Sequence, residues 1–173
     1  MIKFARMAAL AAAATLVATP VVAAPVAADP KARASARILR PLTLTATRNL
    51  DFGTIVVGAI AGAENVSVSQ AGAITCGSSG NLTCSGTVQS AQYNVTGTNN
   101  MQVNIAAVAS NLTNSTSGGS ETLVFTPNAP ANLTLNNSGA PGSNFNVGGS
   151  ISVTPTTVDG LYEGDIEVTV DYN

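Results

Sequence analysis

From Leu42 to the end of the chain apolar residues fall on alternate positions, and this period-two pattern constrains the fold more than any other feature of the sequence. It runs through Leu42/Leu44/Ala46, Val66/Val68, Tyr93/Val95, Met101/Val103/Ile105, Leu123/Phe125, Leu133/Leu135, Phe145/Val147, Ile151/Val153 and Ile166/Val168/Val170/Tyr172, with Thr, Ser and Asn between. Successive side chains of a strand point to opposite faces, so alternation of this kind marks strands with one buried side. No convincing helical stripe competes with it. Asn99-Asn100, Gly118-Gly119, Asn136-Asn137 and Gly148-Gly149 supply turn chemistry between the apolar runs. The expected fold is all-β: an antiparallel immunoglobulin-like β-sandwich of about eight to ten short strands. A small outer-membrane barrel shares the alternation, but its aromatic girdles are hard to build from four Phe, three Tyr and no Trp.

The N-terminus reads differently. Lys3 and Arg6 precede an Ala-rich apolar run to Val17, then Thr19, Pro20 and small residues, the layout of a secretory signal with cleavage after Ala23 or Ala28. The expected organisation is a signal peptide at 1–23, a basic N-terminal arm at 24–40 and a β-sandwich domain at 41–173, with no transmembrane span in the mature chain. Localisation follows: periplasm, cell surface or extracellular. In an oxidising compartment the pair Cys76 and Cys84 forms a disulfide and staples a local loop.

Charge is segregated along the chain. Lys31, Arg33, Arg37, Arg40 and Arg48 are followed by no Lys or Arg from Asn49 to Asn173, where Asp51, Glu64, Glu121, Asp159, Glu163, Asp165, Glu167 and Asp171 lie. In the arm Ala32, Ala34, Ala36 and Ile38 alternate with Lys31, Arg33, Ser35 and Arg37, which gives an exposed strand two faces. In the last strand Asp165, Glu167 and Asp171 share the face opposite Ile166, Val168, Val170 and Tyr172, an acidic edge. The arm is either a solvated tail or a strand that adds to a neighbouring subunit, with Ala32, Ala34, Ala36 and Ile38 facing a groove and Arg33 and Arg37 facing outward. A nucleic-acid partner fits neither export nor the acidic body.

Chemistry has few places to reside. The chain has no His, and its Ser and Thr side chains have no evident activating base, so no catalytic residue is assigned and an enzyme is not expected. Two thiolates make too small a set for a metal, and no cofactor is expected. Asp159, Glu163 and Asp165 could offer oxygen ligands to Ca²⁺ but lack a calcium-loop spacing, so a solvated edge that resists unwanted pairing is the preferred reading.

Three stretches carry a resemblance. LTLTATRNLDFGTIVVG at 42–58, YNVTG at 93–97 and GLYEGDIEVTVDYN at 160–173 resemble the secreted bacterial family catalogued as domain of unknown function 4402. That family is in turn similar, more remotely, to spore-coat-U-like and chaperone-usher pilus subunits. The resemblance implies an incomplete immunoglobulin-like sandwich completed by a strand from the next subunit. The Cys76/Cys84 loop and the small alanines of the arm depart from that pattern. On their own physics, Leu50 and Phe52 share a face and Gly53 permits a bend, while Gly164 lets a neighbouring group come close. The expected role is therefore a non-enzymatic structural subunit of a fimbria-like or coat-like surface assembly, self-associating or joining other subunits. A monomeric module binding a surface glycan or protein is the alternative, and a small barrel the third reading.

Overall fold

A computed structural model describes residues 22–116 and 120–173. The chain divides into two units, Met1–Arg37 and Ile38–Asn173. The signal reading falls almost wholly on residues 1–21, and the Gly118-Gly119 turn on 117–119, both outside the described residues. In the first unit residues 22–37 are exposed and have no regular secondary structure. The expected strand over 31–40 is therefore not formed within the single chain.

The second unit holds thirteen strands among the described residues and no helix. They are β1 (Thr43–Arg48), β2 (Thr54–Val57), β3 (Glu64–Val68), β4 (Ile74–Cys76), β5 (Leu82–Ser85), β6 (Ala91–Thr96), β7 (Gln102–Val108), β8 (Ser110–Asn114), β9 (Thr122–Asn128), β10 (Asn132–Thr134), β11 (Ser143–Val153), β12 (Tyr162–Glu163) and β13 (Glu167–Tyr172). All pair antiparallel. The largest sheet runs β1-β6-β11-β9-β8-β12, with β3 and then β4 branching from β11, and it faces a three-stranded sheet β10-β7-β13 and a two-stranded ribbon β2-β5. The architecture is an antiparallel β-sandwich.

Two apolar clusters fill it. One gathers Ala91, Tyr93, Val95, Val103, Ile105, Leu135, Phe145 and Val147; the other gathers Ile60, Val66, Leu82, Leu123, Phe125, Ile151 and Val153. Leu50 and Ile166 pack against both. Strand β11 joins them, because its first half pairs with β6 and its second half lies between β3 and β9. The expected turn at Gly148-Gly149 is the midpoint of this one strand, and Phe145/Val147 and Ile151/Val153 are its two ends rather than two strands. A Cβ on Gly148 would collide with the Val68 carbonyl, and one on Gly149 with the Phe125 ring. The two glycines are there to let β3 and β9 close on β11.

A second device links the layers. At Ala109 the chain passes from β7 in one sheet to β8 in the other, and 164–166 makes the reverse passage from β12 to β13. The partners stay together through the passage: Tyr162 and Glu163 pair with Asn114 and Thr113, Glu167 pairs with Val108, and the Ser110 hydroxyl donates to the Asp165 carbonyl at 2.9 Å. A Cβ on Gly164 would press on the Asn111 carbonyl at 2.6 Å, so glycine permits this double crossing.

Candidate functional site

The flank formed by β1 and β13 carries two of the acidic residues the sequence singles out, Glu167 and Asp171. Each strand is the last of its sheet on that side: β1 pairs with β6 and β13 with β7. Their apolar side chains, Leu44 from one, with Leu42 just ahead of it, and Val168, Val170 and Tyr172 from the other, pack against the same core cluster yet are only half-buried. Two strand edges with incompletely covered inward faces offer both backbone groups and apolar surface to an added strand.

Tyr172 fixes the end of this flank. Its hydroxyl donates to the Arg40 carbonyl at 2.7 Å and accepts from the Thr98 amide at 2.8 Å, while the Arg40 amide donates to the Thr98 hydroxyl at 2.7 Å. The last strand thus pins the backbone just ahead of Pro41 and β1, at the root of the N-terminal segment. Ile38 is 91 % exposed, so its apolar side chain is uncovered in the single chain. Ala32, Arg33, Ala34, Ala36 and Arg37 are exposed too.

The basic block is less unified than its sequence implies. Arg48 belongs to β1, where its guanidinium donates to the Ser90 carbonyl at 2.9 Å and to the Ser90 hydroxyl at 3.2 Å, and Arg40 belongs to the folded unit. Lys31, Arg33 and Arg37 remain in the first unit. The acidic edge also splits. Glu167 and Asp171 stand on the exposed face of β13, but Asp165 precedes that strand, in the crossing where its carbonyl is held by Ser110. Asp165 keeps the exposed phase of Glu167 and Asp171, but strand pairing begins only at Glu167.

Asp159, Glu163 and Asp165 are distributed over a loop, β12 and the crossing. Among the described residues no three His, Cys, Asp or Glu side chains come together as a metal-holding group.

Cys76 and Cys84 are bridged, with Cα atoms 5.9 Å apart. The bond reaches further than a local staple, because Cys76 ends β4 in the large sheet and Cys84 lies in β5 of the ribbon. Beside it, the Glu64 carboxylate accepts the Ser78 amide at 2.7 Å and, more weakly, the Ser79 amide at 3.4 Å. The Ser78 amide first, and the Ser79 hydroxyl next, hold its pKa below the usual carboxylate range. The Leu50-Asp51-Phe52-Gly53 motif makes the corner between β1 and the ribbon. Asp51 exchanges two backbone hydrogen bonds with Gln89, its side chain accepts the Gly53 amide at 2.7 Å, and Gly53 takes φ 71°. Phe52 meets Phe125 edge to face at 6.3 Å.

Sequence reasoning missed one polar anchor. Asn114 is fully buried, its amide donates to the Asp159 carbonyl at 3.0 Å and its oxygen accepts the Thr116 amide at 3.0 Å. It holds the 154–161 loop against β8. A lone Asn in a chain rich in Asn gives no signal of this.

Compared with known proteins, residues 42–172 match the model of a family described as a domain of unknown function (DUF4402). No curated protein and no solved structure matches the chain.

Proposed function

We propose a role for this chain, which belongs to the family described as a domain of unknown function (DUF4402): it is an exported, non-enzymatic structural subunit of a fimbria-like or coat-like surface assembly, joined by strand addition. The open β1/β13 flank, with half-buried apolar side chains on both strands, carries this reading. Its occupant is the N-terminal segment of a second copy, residues 31–38, ahead of the Arg40 backbone that its own Tyr172 and Thr98 hold. Charge complementarity favours that choice, since Lys31, Arg33 and Arg37 would meet a flank that displays Glu167 and Asp171. Exposed ion pairs of this sort contribute only about 0–1 kcal/mol each and act mainly on register and association rate. Backbone pairing and burial of Ile38 would supply more, at roughly 25 cal/mol per Å² of apolar surface. The signal-like N-terminus and the Cys76–Cys84 bridge both support export to an oxidising compartment. The absence of His from the sequence supports a role without acid–base catalysis.

Deletion of residues 24–40 is expected to abolish multimers while leaving a folded β-domain, as read by light scattering and circular dichroism. Charge reversal at Arg33 and Arg37 is expected to slow assembly at low salt and to matter little at high salt. A deletion variant that assembles normally would overturn the proposal.

A further inference from the structure

At the end of the sandwich where β11 finishes, the seam between β9 and β11 comes apart. The two strands pair from Gly148 with Asn128 up to Ile151 with Phe125. The next positions in register, Ser152 with Val124 and Val153 with Leu123, do not pair. Each strand is still backed on its other side, β9 by β8 through Val124, Leu123 and Thr122, and β11 by β3 through Ser152 and Val153. Two supported walls therefore diverge around an open cleft of about 320 Å³, within the size range of small-molecule sites, roughly 300–1,000 Å³.

We propose that this cleft binds a neutral saccharide. Its polar lining residues are one carboxylate, Glu121, and the hydroxyl-bearing Thr122, Ser152, Thr154, Thr156 and Thr157, with the Thr154 hydroxyl 3.1 Å from those of Thr156 and Thr157; Leu123, Val124, Val158 and Tyr162 supply apolar surface. Hydroxyls both donate and accept, and a carboxylate accepts from two adjacent ligand hydroxyls, so the set matches a polyol. The apolar side chains suit the C–H face of a sugar ring. An anionic ligand finds no complement, because no Lys or Arg occurs between Asn49 and Asn173. A bare cation finds one carboxylate where it needs several oxygen ligands.

The lip is pre-organised. The Thr154 amide donates to the Thr157 hydroxyl at 2.9 Å and the Thr157 amide to the Thr154 carbonyl at 3.1 Å. The Tyr162 hydroxyl donates to the Val158 carbonyl at 2.7 Å, and buried Asn114 holds Asp159 next along. Lip residues fixed by their own hydrogen bonds lose little freedom on binding. Val124 is 58 % exposed, which leaves it available to a ligand and replaceable without disturbing the core.

The test titrates the full chain with a panel of neutral oligosaccharides (glucans, mannans, galactans and N-acetylhexosamine oligomers) while backbone amide resonances are followed. Saturable shifts confined to 121–124 and 152–158 are expected for at least one member, weakened about tenfold or more by Glu121→Gln and lost in Val124→Lys, with thermal stability unchanged in both. No saturable shift at these residues, shifts elsewhere only, or affinity indifferent to both substitutions would overturn the proposal. So would a preference for acidic oligosaccharides or for an extended peptide.

Discussion

Around Val95, Val103 and Phe145 the large sheet is faced by three strands, β10, β7 and β13, whereas around Val66, Phe125 and Ile151 it is faced by the two-stranded ribbon β2-β5. The broader wall is held by two ladders on β7 and needs no cross-link, and its outer strand keeps an open edge. The ribbon has one ladder, which alone is marginal in water. It is tied down by the Cys76–Cys84 bond, by the Leu50–Gly53 corner and by the Phe52–Phe125 contact. The chain spends its only covalent cross-link where hydrogen-bonded width is smallest, and leaves unpaired edges where width and core are sufficient.

The largest effect is expected from a change that both halves feel. Gly148→Val would drive a branched side chain into the backbone of β3, at a cost of about 3 kcal/mol, and lower the melting temperature by about 10 °C. Hydrogen exchange should rise in β6 and in β3 alike; loss confined to one half would break the view of β11 as a shared strand. The paired substitution Cys76→Ala/Cys84→Ala should be milder, about 2–3 kcal/mol in the chain-entropy account. Here the exchange increase should concentrate in β2, β5 and the loop between the cysteines, while β6, β7 and β13 stay protected. A uniform increase would show that the ribbon is not separately held. The smallest effect concerns Glu64. Its folded pKa lies below its unfolded value, so its contribution is present above the unfolded value and is lost as pH falls through the folded one. Acidification below the usual glutamate range should release the Ser78 amide, seen as a shift of its resonance, and Glu64→Gln should flatten that response.

Much of the fold was legible because alternation is a local property. Leu44, Tyr93/Val95, Val103/Ile105 and Val168/Val170 all lie in strands with the expected inward phase. Misreadings arose where the deciding contact was distant in sequence. Gly148-Gly149 carries turn chemistry, yet what requires glycine there is the approach of Val68 and Phe125. The strands β2, β4, β5, β8 and β12 are short, or mix polar residues into the pattern, and are specified by partners rather than by propensity. The β1/β13 flank could be anticipated from its charges and its final Tyr, though the link from Tyr172 to Arg40 spans most of the chain. The cleft could not, since Glu121, Ser152, Thr156 and Tyr162 meet only after two strands diverge.

The shared strand also sets an order of events in time. Residues 143–153 are made and delivered late, and until they arrive β6 waits for its second neighbour and β3 and β9 have nothing between them. The ladders β1–β6, β2–β5, β3–β4 and β8–β9 need nothing from β11, but the ladders that join them into one sheet are deferred until it arrives, and such distant contacts slow folding and prolong exposure of strand edges. The two core halves should therefore acquire protection together, in one late step, when β11 slots in.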